Sequence, residues 1–241
     1  MKTEDIDYRD GETSLSGFLA YDESFEGKRP GIVVVHEAWG LGDHVIERAK
    51  MLAGLGYVAF AADMFGDRRQ VADLPAAMAL IGDLRSSPDK LRNRIGAALE
   101  VLRSLRPVDA TRVAGIGFCF GGTTVLELAR SGADISGVVS FHGGLETNAP
   151  ADAGGITAKV LVCTGADDPM IPPAQVTAFE DEMRKAAADW QVISYGGAVH
   201  GFTNPDAGKT VSLPGLAYDE RTDRRSWSAM LAFFNEIFAP A

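Results

Sequence analysis

Cys119 occupies the centre of Gly117-Phe118-Cys119-Phe120-Gly121-Gly122-Thr123. The apolar run Arg112 to Ile116 precedes it, and a helical run from Thr124 to Arg130 follows. That layout reads as strand, tight turn, helix, and the glycines let the backbone fold sharply while the helix approaches the strand. The start of such a helix turns free N–H groups and its positive dipole end toward the sulfur. Both favour a thiolate and any oxyanion formed beside it. A thiol in that setting can do nucleophilic acyl transfer if a base and an orienting acid stand nearby. The bland alternative is a glycine-rich turn around a buried cysteine.

Two further segments supply the missing groups. His200 lies in Gly196-Gly197-Ala198-Val199-His200-Gly201-Phe202, and Asp168 lies in Gly165-Ala166-Asp167-Asp168-Pro169-Met170-Ile171-Pro172. The chain order is nucleophile, acid, histidine, as in the α/β-hydrolases, whose elbow carries serine where this chain has cysteine. His200 suits the base that forms the thiolate and later protonates the leaving group. Asp168 suits the carboxylate that fixes the imidazole tautomer and stabilises its cation. Asp167 is the rival for that place, and the spacing to the apolar residue and Pro172 favours Asp168. The N–H of Phe120, next after the thiol, is the expected first oxyanion donor, and the loop after an early strand usually supplies the second. Cys163 sits in an apolar run and reads as core. His142 is expected to line the cleft, while His36 and His44 read as structural. Glu37, taken alone, reads as a solvated loop carboxylate.

These groups need a scaffold that brings strand ends together. Residues 6–21 read as two short strands around Arg9-Asp10-Gly11-Glu12. Gly31 to Val35 is a β-branched run of the kind buried on both faces of a sheet. A helix from His44 to Gly54 follows, with Asp43 as its expected N-cap. Tyr57 to Ala61 is the next strand, and residues 64–88 read as irregular. A helix from Pro88 to Leu105 has Ser87 as its expected N-cap and an apolar face through Leu91, Ile95, Ala98, Leu99, Leu102 and Leu105. Then come the strand into Cys119, its helix, a strand Ile135 to Phe141, and a strand Lys159 to Cys163. A helix Pro173 to Ala187, a strand Gln191 to Tyr195 and a last helix near Asp223 to Phe238 complete the chain. Alternating strands and helices predict an α/β fold: a mostly parallel sheet of about seven or eight strands covered on both faces. In such sheets ligands bind at the carboxyl ends of the strands, where Cys119, Asp168 and His200 all fall.

Composition removes several other readings. The chain has 241 residues, enough for one large domain across 1–241, with neither a repeat nor a linker to divide it. A net charge of −10 disfavours nucleic acid and anionic membranes as partners. Two cysteines without a C-x-x-C or a Cys/His cluster argue against a disulfide framework and a structural zinc site. The acidic start, Met1 to Asp7, has no apolar core of a signal peptide, so a cytoplasmic location is the expectation. That compartment would keep Cys119 reduced. No metal or cofactor is expected, and the expected state is a monomer with a small-molecule ester or lactone as its partner.

Over nearly its whole length the chain resembles the dienelactone hydrolase family. The resemblance rests on His36-Glu37-Ala38-Trp39-Gly40, the Cys119 turn, Asp168-Pro169-Met170-Ile171-Pro172 and His200-Gly201-Phe202. It implies a triad of Cys119, His200 and Asp168 in an α/β-hydrolase fold. It also implies that Glu37 contacts the resting thiol and helps generate the thiolate, and that the N–H groups of Ala38 and Phe120 form the oxyanion hole. Trp39, His142 and Asn204 become candidates for substrate contact. The family's dienelactone-specific enzymes hold a substrate carboxylate with arginines, one of them four residues after the histidine. Here that position is Asn204. Arg68, Arg69 or Arg85 could replace it from the segment read as irregular.

The expected function is therefore cysteine-dependent hydrolysis of lactone or ester bonds through a thioester. A carboxylesterase or thioesterase acting on neutral acyl groups is the alternative, which Asn204 favours somewhat. A ligand-binding protein on the same scaffold need not keep Glu37, Cys119, Asp168 and His200 together. A redox role for Cys119 lacks an evident resolving cysteine.

Overall fold

The computed structural model describes residues 1–209 and 213–239. Its centre is an eight-stranded sheet in the order β1-β2-β4-β3-β5-β6-β7-β8. The hairpin β1 (Lys2–Asp10) and β2 (Thr13–Tyr21) forms one antiparallel edge. The strands β3 (Arg29–Val35), β4 (Val58–Ala62), β5 (Val108–Phe118), β6 (Gly137–Phe141), β7 (Lys159–Gly165) and β8 (Trp190–Tyr195) run parallel.

Strand periodicity divides the core in two. Alternate residues of a strand face opposite sides. In β3, Val33 and Val35 pack toward one side and Ile32 and Val34 toward the other, all fully buried. The first side is covered by α2 (Leu74–Arg85), α3 (Pro88–Ser104), α4 (Phe120–Arg130) and α5 (Pro173–Lys185). The second side is covered by α1 (Asp43–Gly54) and α6 (Glu220–Ile237), whose Val45, Leu52, Met230 and Phe234 belong to the same buried cluster as Ile32 and Val34.

The sequence-based expectations differ from this fold in local ways. Residues 64–88 are not wholly irregular, because α2 lies within them. It is Ala-rich, and only Ala77, Ile81 and Leu84 are buried, so its apolar stripe is thin. The Asp73 carboxylate caps it by accepting the Ala76 N–H at 2.9 Å. Asp43 is the first residue of α1 and Gly42 is its N-cap. Helix α4 begins at Phe120, immediately after the thiol. No helix among the described residues is long and apolar enough to cross a membrane.

Candidate active site

The elbow that carries Cys119 is built by close backbone approach. Cys119 itself has φ 52° and ψ −114°, a conformation that non-glycine residues rarely adopt and that neighbouring structure must hold in place. Gly117, Gly121 and Gly122 allow this. A Cβ on Gly117 would strike the Gly121 carbonyl, and one on Gly121 would strike the Val35 and His36 carbonyls. A Cβ on Gly122 would meet Ser140 and Gly143. The Cys119 N–H is held from below, 3.0 Å from the Phe141 carbonyl and 3.1 Å from His142 Nδ1.

His142 therefore does not line the cleft as expected. It is fully buried beneath the elbow, with its own φ at 42°. Its Nδ1 accepts from Cys119, and its Nε2 lies 2.8 Å from Thr203 Oγ1. Burial, with His200, His44 and Arg48 close by, holds its pKa well below the ordinary histidine value, so it stays neutral and keeps this tautomer.

Asp168 follows β7, and its side chain is fully enclosed. Its Oδ1 accepts the Met170 N–H at 2.8 Å, and its Oδ2 accepts His200 Nδ1 at 2.8 Å. The rival Asp167 is exposed. His200 is 6 % exposed, and its backbone is clamped by the Gly215 carbonyl and the Ala217 N–H. Burial opposes a charge on His200. The facing Cys119 sulfur and the Asp168 carboxylate outweigh it and raise the pKa to about 10. Cys163, by contrast, is a core thiol whose pKa burial pushes up to about 12.

The loop after β3 closes the site from the other side. His36 anchors it: the Met64 N–H donates to His36 Nε2 at 3.3 Å, and His36 Nδ1 donates to the Glu37 carbonyl at 2.6 Å. Among the described residues, the N–H groups of Ala38 and Phe120 have no hydrogen-bond acceptor. Phe120 is the first residue of α4, where an N–H lacks an intrahelical partner. Both groups are thus free to donate to an oxyanion.

Glu37 is 8 % exposed, and no hydrogen bond joins it to Cys119 among the described residues. Its Oε2 instead accepts from Asn204 Nδ2 at 2.6 Å and lies 3.4 Å from His44 Nδ1. Asn204 is therefore a partner of Glu37. Beside it opens a cleft of about 360 Å³, lined among others by Glu37, Trp39, Val71, Asn204 and Leu216. The expected arginines are elsewhere. Arg68 pairs with Asp5 on β1 at 2.6 Å and lies over the Phe18 ring. Arg69 is exposed, with its backbone packed against Gly40. Arg85 is exposed on the last turn of α2. None of the three lines the cleft.

Behind Glu37 runs a buried polar chain that the sequence did not disclose. Arg48 Nε donates to His44 Nε2 at 3.2 Å, and Arg48 Nη2 reaches the Thr203 carbonyl at 2.6 Å and both Asp223 oxygens at 2.7 and 2.8 Å. The signal available was the one-turn spacing of His44 and Arg48 on α1. Asp223 lies too far along the chain for any spacing rule. Among the described residues, no group of three or more His, Cys, Asp or Glu could hold a metal ion.

A parallel sheet with a thiol elbow after β5, an acid after β7 and its histidine after β8 defines an α/β-hydrolase. The model of the dienelactone hydrolase family matches residues 15–238, and the chain belongs to that family of ester and lactone hydrolases. A dienelactone hydrolase-like promiscuous phosphotriesterase from metagenomic libraries shares 47 % identity, covers 99 % of each chain and superposes with a TM-score of 0.93. A Caenorhabditis elegans protein of uncharacterized function is 38 % identical over 157 residues, 62 % of this chain and 96 % of its own length. A Salmonella typhimurium protein given the provisional name carboxymethylenebutenolidase is 28 % identical over 234 residues, 91 % of this chain and 82 % of its own.

Proposed function

We propose that this protein hydrolyses uncharged esters and lactones through a covalent thioester on Cys119. The observation that carries the reading is one continuous arrangement. A thiol on a strained elbow faces a histidine whose other nitrogen lies 2.8 Å from a fully buried aspartate.

The thiolate sulfur attacks the acyl carbon and the carbonyl electrons move to oxygen. The N–H groups of Ala38 and Phe120 take up that charge, a contribution of about 3–4 kcal/mol per donor in related chemistry. The intermediate collapses, the C–O bond breaks, and the alkoxide takes the proton from His200. His200 then removes a proton from water, which attacks the thioester. The products are a carboxylic acid and the restored thiol. In a lactone the freed alcohol stays attached to the acyl group, so the cleft must hold it away from the thioester. Asp168 keeps His200 in the tautomer that both halves need. Glu37, held on Asn204, leaves the sulfur without a facing carboxylate, so the thiolate forms against His200 alone.

The preference for uncharged substrates comes from the cleft. Among the described residues no Arg or Lys side chain lines it, and Thr210, Val211 and Ser212 carry no charge in any placement. The described lining offers no guanidinium or ammonium to pair with a substrate carboxylate, and Glu37 and Asp206 would repel one. An uncharged phosphotriester, the substrate class named for the 47 % identical relative, meets the same requirement. A reducing compartment such as the cytoplasm would keep the thiol available.

Kinetics on matched aryl esters tests this. Aryl acetate should be hydrolysed with at least about tenfold higher kcat/KM than the aryl half-ester of succinate, the cost of one unpaired carboxylate. Cys119→Ala should abolish both activities with circular dichroism unchanged. Equal or better use of the half-ester would remove the claim about charge. Retained turnover in Cys119→Ala would remove the nucleophile.

A further inference from the structure

Glu37 is parked away from the thiol. Its Asn204 bond accounts for one direction of approach. The second comes from His44, whose side chain is 11 % exposed. His44 Nδ1 is buried and makes no hydrogen bond, yet it lies 3.4 Å from the same Glu37 oxygen. It is within reach but off-line, so a small rotation of the carboxylate would close the bond.

The other face of the ring fixes which nitrogen carries the proton. Arg48 Nε–H can only donate, so the Nε2 it meets at 3.2 Å must offer a lone pair. The Thr203 carbonyl, which accepts from Arg48 Nη2 at 2.6 Å, lies 3.1 Å from Nε2, and it is the Arg48 Nε–H contact that sets the tautomer. Asp223, from α6, holds Arg48 with both oxygens. Phe118 packs edge-on against the His44 ring with centroids 4.8 Å apart. The charged and titratable groups facing His44 are thus Glu37 from the β3 loop, Arg48 on its own helix, Asp223 behind Arg48, and His142 beyond Phe118.

We propose that His44 is a positioning residue that docks Glu37. Its Nδ1–H, held in that tautomer by Arg48 and Asp223, keeps the carboxylate on Asn204 and off Cys119. This rests on the reading of Glu37 given under the proposed function. Asn204 and His44 together do here what a single cation at position 204 could do: they hold the Glu37 carboxyl without adding a positive charge to the cleft. Released from His44, Glu37 would face the sulfur, and its like charge would disfavour the thiolate.

The test is the rate of Cys119 alkylation by iodoacetamide from pH 5 to 9 in the wild type, His44→Phe, Glu37→Gln and the double variant. His44→Phe should slow alkylation at pH 7 about three- to tenfold, the range of a direct side-chain coupling, and shift its midpoint upward. The effect should vanish in the Glu37→Gln background, and His44→Gln, which retains an N–H donor, should recover most of the wild-type rate. An unchanged His44→Phe profile, or an equal effect in both backgrounds, overturns the proposal. Should the variants fail to fold, ¹⁵N NMR of the wild-type His44 ring decides: an Nδ1–H tautomer supports docking and an Nε2–H tautomer overturns it. Wild-type kcat in Glu37→Gln would remove Glu37 from the mechanism, a result separate from the coupling between Glu37 and His44.

Discussion

The unusual quantity at the scale of single residues is the proton affinity of His200. Desolvation alone would lower it, and the Cys119 sulfur with Asp168 reverses the sign, to about 10. Because the folded value lies above the ordinary 6.5, the proton binds more tightly in the native state. Its contribution to stability is full below pH 6.5 and is lost as pH rises through 10. Removing the sulfur takes away the leading favourable contribution, so Cys119→Ala should lower the His200 midpoint measured by NMR, and Asp168→Asn should lower it too. A midpoint in Cys119→Ala that still stands near 10 would separate His200 from the thiol. The pairing itself was legible in the sequence, since Cys119, Asp168 and His200 each fall at a strand end in a recognisable order. The place of His142 was not. A histidine at a strand end can project into a cleft or tuck beneath the neighbouring turn. Only the positive φ at His142 and its bond to the Cys119 N–H decide between them. His44 read as structural because its approach to Glu37, and the Asp223 that braces its neighbour Arg48, are both remote in sequence.

Elements carry the geometry that those residues need. The elbow works because α4 starts directly after Cys119 and sits against the end of β3, with no room for a side chain at Gly121. Gly121→Ala should therefore push α4 away from the Val35 and His36 carbonyls. It should cost about 1–3 kcal/mol of stability by urea unfolding, as overpacking commonly does. Phe120 precedes Gly121 and carries the N–H proposed as an oxyanion donor, so kcat should fall more than KM changes. Wild-type kcat in a folded Gly121→Ala enzyme would mean that the donor does not depend on this contact. The strand–turn–helix order was readable from glycine spacing and apolar runs. Helix α2 was not, because a stripe of Ala77, Ile81 and Leu84 is narrow and Pro75 and Gly82 interrupt its exposed side. The same gap left Arg68, Arg69 and Arg85 available as candidates for the cleft. Once α2 and the preceding turn are in place, Arg68 faces β1 and the other two face outward.

The whole molecule is held by two cores and a few buried charge clusters that tie helices to one another. Arg130 on α4 has a side chain 1 % exposed and binds Glu127 at 3.0 Å, Glu182 of α5 at 2.7 Å and the Leu145 carbonyl at 2.7 Å. Arg92 of α3 reaches Glu127 at 2.8 Å. Replacing Arg130 with Met would strand buried carboxylates, and a loss of about 3–5 kcal/mol is expected from denaturant unfolding at unchanged m-value. A loss under about 1 kcal/mol would show that water reaches these groups. The alternation of strands and helices made the parallel sheet legible, and the β-branched run Ile32 to Val35 marked its centre. The division of helices between the two faces follows from which side of each strand they cover, which emerges only from the assembled sheet.

The central claim is that an acyl group passes through the Cys119 sulfur. Intact-mass analysis after rapid mixing with an aryl acetate and acid quench addresses it most directly. The thioester route requires a protein carrying one acetyl group, mapped to Cys119 by peptide analysis, absent in Cys119→Ala, and accumulating in His200→Ala to the extent that acylation still occurs. An acetyl group on any other residue that turns over at the catalytic rate, or steady hydrolysis by Cys119→Ala, would contradict it.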